Sequence, residues 1–337
     1  MEKMTFYGEK IKNNKIPNNI GVIVCNLGTP KSYRYRDVRS FLKEFLSDRR
    51  VVEIPKFIWW FILNLFILTL RPFKSGKLYK TVWTKEGSPL MVFSKKLVNK
   101  LKKDSQDNIK YELAMRYGSP SIEDSLLSLK NKGCDKIIVI PTFPQYSGTT
   151  SGSVFDAVSS VLNQWRWVPG LIFINGYHRD VGYIEAIAES LKNKIKINKP
   201  QKIVFSYHGI PKRNIDKGDP YYLFCIETTE LVAKKLKLKK EKYMTCFQSR
   251  FGPDEWLQPY TSDKMQELPG LGIKNILVIA PGFSADCLET IEEINEENKE
   301  IFQEAGGEVF DYIPCLNDSN LHASFIKSLV KKHSFNW

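Results

Sequence analysis

A chain of 337 residues, 42% apolar and 26% charged, carries enough apolar material for one large or two medium cores. No window reaches eighteen consecutive apolar residues, and the lead 1–19 is polar and rich in Lys and Asn, without the apolar stretch of a signal peptide, so a cytoplasmic protein is expected. The net charge of +13 raises nucleic acid or an anionic surface as a partner, yet the lysines fall in amphipathic runs such as 95–103 and 234–242 with no nucleic-acid motif; solvated helix faces are expected, and no nucleic acid.

Short β-branched runs bounded by turn residues alternate with longer helical patterns, which predicts parallel sheets covered by helices. The predicted strands are 21–27, 110–116, 136–143, 171–175, 202–208, 243–248, 275–281 and 308–313, with a last helix at about 319–333. The chain also repeats itself. Residues 22–30 (VIVCNLGTP) align with 203–211 (IVFSYHGIP), 116–118 (RYG) with 250–252 (RFG), and 133–140 with 272–279, in the same order. Two similar Rossmann-like α/β lobes follow: 20–172, and 173–314, with 315–337 a helix packing back on the first lobe. Ligands of open parallel sheets sit beyond the carboxyl ends of the strands, which puts the site between the lobes.

The first half alone carries 57–70, FIWWFILNLFILTL, flanked by Arg49, Arg50 and Lys56 on one side and Arg71, Lys74, Lys77 and Lys80 on the other. As an apolar run it is too short to span a bilayer. A buried helix has the same periodicity; the basic flanks suit an apolar lid that touches a membrane surface peripherally.

Strand 202–208 ends in His208, and Gly209 and Pro211 stop it there, at the carboxyl edge of the sheet. The chain has four histidines; His178 starts a loop and His322 and His333 lie on the last helix, where structural roles are expected. After strand 275–281, a helical period puts Glu289, Glu293, Glu296 and Glu300 on one face with Asp286 and Glu297 at its edges, and Leu288, Ile291, Ile294, Ile301 and Phe302 opposite. For Glu297 and Glu300 a solvated face is expected. Asp286 and Glu289 fall in the first turn, where a carboxylate is favoured and faces the cleft mouth. Asp286, Glu293 and Glu296 would continue a path of hard oxygens for a divalent cation or protons. An imidazole opposite a carboxylate in an apolar cleft is the minimum equipment for inserting a metal into a macrocycle that must lose two N–H protons.

Six cysteines contain no C-x-x-C, so neither a zinc knuckle nor a disulfide framework is expected; Cys25, Cys134 and Cys246 read as core.

The motifs Ser206-Tyr-His-Gly-Ile-Pro211, Gly218-Asp-Pro220, Phe247-Gln-Ser-Arg-Phe-Gly252 and Ala285-Asp-Cys-Leu-Glu-Thr290 with Glu293 closely resemble those of bacterial ferrochelatases. So do Asn26-Leu-Gly-Thr-Pro30, Phe45-Leu-Ser-Asp48, Gly87-Ser-Pro-Leu90, Arg116-Tyr-Gly-Ser-Pro120 and Pro144-Gln-Tyr-Ser147, and the resemblance runs from about 20 to about 315. It implies insertion of Fe2+ into protoporphyrin IX to give protohaem, the last step of haem synthesis. It further implies that His208 and Glu289 form the metal and proton-abstraction pair, that Glu293 continues the acidic path, and that Leu27, Tyr79, Arg116 and Tyr117 line the porphyrin side. The fork of Arg116 would suit a propionate. The apolar lip, here 57–72, is also a family feature. Where some members have a histidine two residues before the glutamate, this chain has Cys287, and no metal role is expected there. No cysteine follows Cys315, so no [2Fe–2S] cluster is expected and no permanently bound cofactor, iron being a substrate. Two rival readings are a chelatase for coproporphyrin III or another metal, and a non-catalytic haem or metal carrier. The sequence does not specify an oligomeric state.

Overall fold

The computed structural model describes residues 6–8, 18–335 and 337, so most of the predicted polar lead lies outside the described residues. Two four-stranded parallel sheets form the frame. The first has the order β2-β1-β3-β4, from β1 (Asn19–Gly28), β2 (Ile109–Tyr117), β3 (Cys134–Pro141) and β4 (Gly170–Phe173). The second has the order β6-β5-β7-β8, from β5 (Lys202–His208), β6 (Tyr243–Gln248), β7 (Asn275–Ile279) and β8 (Val309–Ile313). Each predicted strand is present to within a few residues, and the first sheet ends at Phe173, one residue past the expected boundary. Val22, Ile23, Val24 and Cys25 are buried on both faces because β1 is central and covered by helices on either side.

The register tests the internal repeat. Val24 pairs with Ile140, and its counterpart Phe205 pairs with Ile279, as the sequence alignment requires. The alignment of 116–118 with 250–252 is two residues out. Asn26 pairs with Met115 while its counterpart Tyr207 pairs with Phe247, so Arg116 corresponds to Gln248 and Tyr117 to Ser249. Arg-aromatic-Gly occurs at the end of β2 but beyond the end of β6, and the sequence match followed residue identity rather than hydrogen bonding. The repeated glycines share a physical cause. A Cβ on Gly28 would meet the Tyr117 carbonyl oxygen at 1.9 Å, and one on Gly209 would come within 3.0 Å of the Gln248 carbonyl oxygen.

One core is common to both halves, joining Val22, Val24 and Ile140 to Ile203, Phe205 and Ile279 through Leu97, Ile187 and Ile326. Leu97 comes from the helix Pro89–Lys103, capped by Ser88, and Ile187 from the helix Val181–Asn198, capped by Asp180. Ile326 belongs to the C-terminal helix Asn320–Ser334. That helix packs on the other two, so it bridges the halves rather than returning to the first alone.

The apolar insertion is one continuous helix, Lys56–Val82, with a wide turn over Ile62–Ile67. The apolar run is extended by about three basic turns, and by length and composition the whole helix is sufficient to cross a membrane. Its inner face is committed to the protein: Leu63, Leu68, Pro72, Gly76 and Val82 are buried, and a Cβ on Gly76 would press against the Tyr33 carbonyl at 2.7 Å.

Candidate active site

His208 is the last residue of β5, and its Nδ1 lies 2.6 Å from the Gly209 carbonyl. A carbonyl only accepts, so Nδ1 carries the hydrogen and Nε2 presents a lone pair. The backbone is held as well, since the Tyr221 hydroxyl donates to the His208 carbonyl at 2.9 Å. The rings of Trp256 and Phe283 each lie with centroids 6.3 Å from the imidazole. The result is a fixed base with apolar walls.

Facing it is the acidic helix, which differs from the expected α-helix: over Glu289–Asn298 it is a π-helix, bonded i→i+5, before it returns to α over Lys299–Glu304. The wider turn breaks the expected stripe. Glu289 and Glu293 stay half-buried, but Glu296 is turned to solvent with Glu297 and Glu300. Glu296 is therefore not beside the other two. Glu293 accepts from the Ser249 backbone N–H at 2.6 Å and from the Ser249 hydroxyl. Burial pushes the Glu293 carboxyl above the ordinary value; the Ser249 hydroxyl, and His208 whenever its ring takes up a proton, pull it down, and Glu289 pushes it up again. Ser249 sits in left-handed backbone at φ 64°, a strained conformation for a non-glycine residue. Behind Glu293 lies a polar cavity of about 230 Å³ bounded also by Arg250, Thr261, Glu297 and Asn298.

The lip helix supplies the opposite side. Burial lowers the Arg71 guanidinium value while Tyr79 and Glu289 raise it, and burial with the Glu289 and Cys287 charges lifts Tyr79 well above the ordinary phenol value. These four groups converge. Arg71 also lies over the Phe251 ring at 4.6 Å. Sequence reasoning saw Arg71 only as a basic flank; its place directly after the apolar run, five residues before Gly76 on the same helix, was the available signal. Gln248 and Ser249 belong to the motif 247–252, and nothing in the sequence marks a role for either.

Leu27 and Tyr79 lie in the cluster under the lip with Trp59 and Ile67. Three other expectations change. Asp286 does not face the cleft mouth: it is 5% exposed and accepts from Tyr312 at 2.7 Å, Asn317 Nδ2 at 2.6 Å and Thr290 at 3.0 Å, tying the start of the acidic helix to the loop after β8. The Arg116 fork is already occupied, by Asp48 Oδ2 at 2.6 Å and by Ser153. Tyr117, 1% exposed, donates to the same Asp48 oxygen at 2.9 Å and packs against Phe45 in the core. Burial opposes the Asp48 charge, but the hydrogen bonds from Ser153, the Arg50 N–H and Tyr117, with the Arg116 charge, bring its carboxyl below the ordinary range.

Two similar four-stranded parallel sheets, with His208 at the carboxyl edge of the second, make a chelatase-type fold. The likeness extends to solved structures: SirB from Bacillus subtilis with Fe3+ superposes with a TM-score of 0.57 at 12% identity, covering 93% of this chain and 95% of that one. SirB from Bacillus subtilis subspecies spizizenii with cobalt gives 0.54 at 10% identity over 94% and 96%. At such identities the likeness establishes the fold alone.

Sequence gives the particular family. The ferrochelatase family model matches residues 19–334. A ferrochelatase of Pseudoalteromonas atlantica is 47% identical over 99% of this chain and 94% of its own length, and ferrochelatase 2 of Shewanella oneidensis is 50% identical over 93% and 97%. The chain belongs to the ferrochelatase family, and it is an enzyme of haem biosynthesis that inserts metal into protoporphyrin.

Proposed function

We propose that Fe2+ enters protoporphyrin IX between His208 and the Glu289–Glu293 pair, with the macrocycle held under the lip helix. The observation that carries this reading is the His208 tautomer. With Nδ1–H spent on the Gly209 carbonyl, Nε2 is a neutral lone pair at the sheet edge, beside carboxylates and aromatic walls. Insertion exchanges two pyrrole N–H protons for one Fe2+, so the site must remove two protons and admit a dication. His208 Nε2 takes a pyrrole proton as general base. Glu293, whose carboxyl is raised by burial, passes protons to the polar cavity behind it. Glu289 supplies the anion that draws iron from its hydration shell. A porphyrin bent out of plane exposes its nitrogen lone pairs and approaches the metal-entry transition state, which walls on both faces favour.

Peripheral membrane contact through 57–72 belongs to the same reading. Phe57, Trp60, Leu65, Phe66, Leu70 and Phe73 are all more than half exposed, a display suited to acyl chains and to a lipophilic porphyrin. The test is anaerobic turnover with Fe2+, comparing protoporphyrin with coproporphyrin and the wild type with Glu289→Gln. Multiple turnovers are expected with protoporphyrin, and a kcat about a hundredfold lower in the variant with porphyrin binding kept. Stoichiometric binding without turnover, or full activity of the variant, overturns the assignment.

A further inference from the structure

Two side-chain amides meet the backbone of the π segment at Glu289 and Glu293, the two residues whose carboxylates are proposed to work with His208. Gln248 Nε2 donates to the Glu289 carbonyl at 2.9 Å and reaches Glu293 Oε2 at 3.4 Å. Its orientation is set from behind, because Ser206 donates to Gln248 Oε1 at 2.9 Å and is itself paired with Thr261. Asn298 Nδ2 donates to the Glu293 carbonyl at 2.6 Å, five residues back. That spacing is the repeat of the π turn, and in an α-helix the fifth carbonyl back lies off the face of the residue that would reach it. Asn298 is 3% exposed and its Oδ1 has no partner among the described residues, so the donor end alone accounts for a buried amide here.

We infer that Gln248 and Asn298 are positioning residues that clasp the π turn from its two ends and so fix Glu289 and Glu293 relative to His208. The inference rests on the proposed roles of those carboxylates. A carbonyl has a second lone pair, so each amide adds a bond without displacing the helical one. A π segment is rare and needs support from outside the helix. Without the clasp, the segment relaxes toward α geometry and turns Glu293 away from Ser249.

The test uses Gln248→Met and Asn298→Leu, which keep size and remove the donors, with Asn275→Ala as a control. Asn275 bonds Asn198 at the opposite edge of the second sheet and is unconnected to the acidic helix. Amide hydrogen exchange should quicken about tenfold or more over 288–299 in either clasp variant and not in the control. The kcat for Fe2+ insertion should fall about tenfold or more with porphyrin KM within about twofold, since a small displacement of reacting groups acts on the chemical step. Unchanged exchange over 288–299, or wild-type kcat despite faster exchange, overturns the inference, as does an equal kcat loss in the control at matched melting temperature. If Gln248→Met fails to fold, Asn298→Leu alone decides. Wild type and Glu289→Gln, assayed in parallel, test the catalytic reading separately.

Discussion

The two halves share one frame and use it in opposite ways. At the end of the central strand the first half has Leu27 and the second His208; at the end of the neighbouring strand the first has Arg116 and Tyr117 and the second Gln248 and Ser249. In the first half these side chains are consumed by the fold, since Asp48 takes Arg116, Tyr117 and Ser153 on one oxygen and makes a rigid floor. In the second half Gln248 and Ser249 are spent on holding Glu293 and the Glu289 backbone, which leaves the His208 Nε2 and the Glu289 carboxylate above the strand ends. The repeat supplies the frame, and the second copy alone spends its polar strand-end groups on holding carboxylates in place.

The sharpest way to break this contrast is to truncate the counterpart positions. His208→Ala should lower kcat about a thousandfold with little change in porphyrin KM, while Leu27→Ala should raise KM several-fold and leave kcat within about threefold, both read in the anaerobic assay. Comparable kcat losses would mean that the halves divide the work differently. Next in size is Asp48→Asn. It replaces an oxygen that receives three donors, and should cost about 3 kcal/mol of stability by urea unfolding, because Arg116 and Tyr117 lose a buried partner. A cost under about 1 kcal/mol would make the floor dispensable.

A smaller effect is expected at Glu293, and its sign is set by linkage. Burial holds its folded carboxyl above the ordinary carboxylate range, so the folded state binds more protons in that window and loses stability as pH rises through it. Glu293→Gln should therefore melt higher than the wild type at pH 7, with the gap closing near pH 4; a gap independent of pH would remove the electrostatic cause. The smallest effect on turnover in solution belongs to the lip. Trp60→Glu with Phe66→Glu should leave soluble kcat within about twofold. The same pair should abolish flotation with anionic liposomes, and the peripheral-contact reading fails if the wild type does not float. Trp59 is the wrong choice for this pair: its indole donates to the Leu46 carbonyl at 2.6 Å and anchors the helix.

Much of the frame was legible because strand-forming runs of Val and Ile end at Gly and Pro, and because two of the three repeated segments carry the true register. The third slipped by two residues, since an Arg-aromatic-Gly match is blind to where β6 ends. His208 was readable from the Gly209 and Pro211 that stop its strand. The acidic helix was read with a 3.6-residue period, and a π turn has no composition of its own; this misplaced Glu296. Asp286 was read as a free first-turn carboxylate because its partners, Tyr312 on β8 and Asn317 in the loop after it, lie more than twenty-five positions away in the chain. Arg116 looked available for the same reason: Asp48 is 68 positions away.

The helix Asn320–Ser334 has a consequence for assembly. It seals the seam between the halves, holding the helix Pro89–Lys103 through Lys100 and Asp318 and the helix Val181–Asn198 through Lys332 and Asp180. Because it is translated after both sheets, each half emerges from the ribosome with one greasy flank still bare. A nascent chain stalled before this late segment would therefore present chaperones with two nearly complete halves whose shared apolar flank is uncovered.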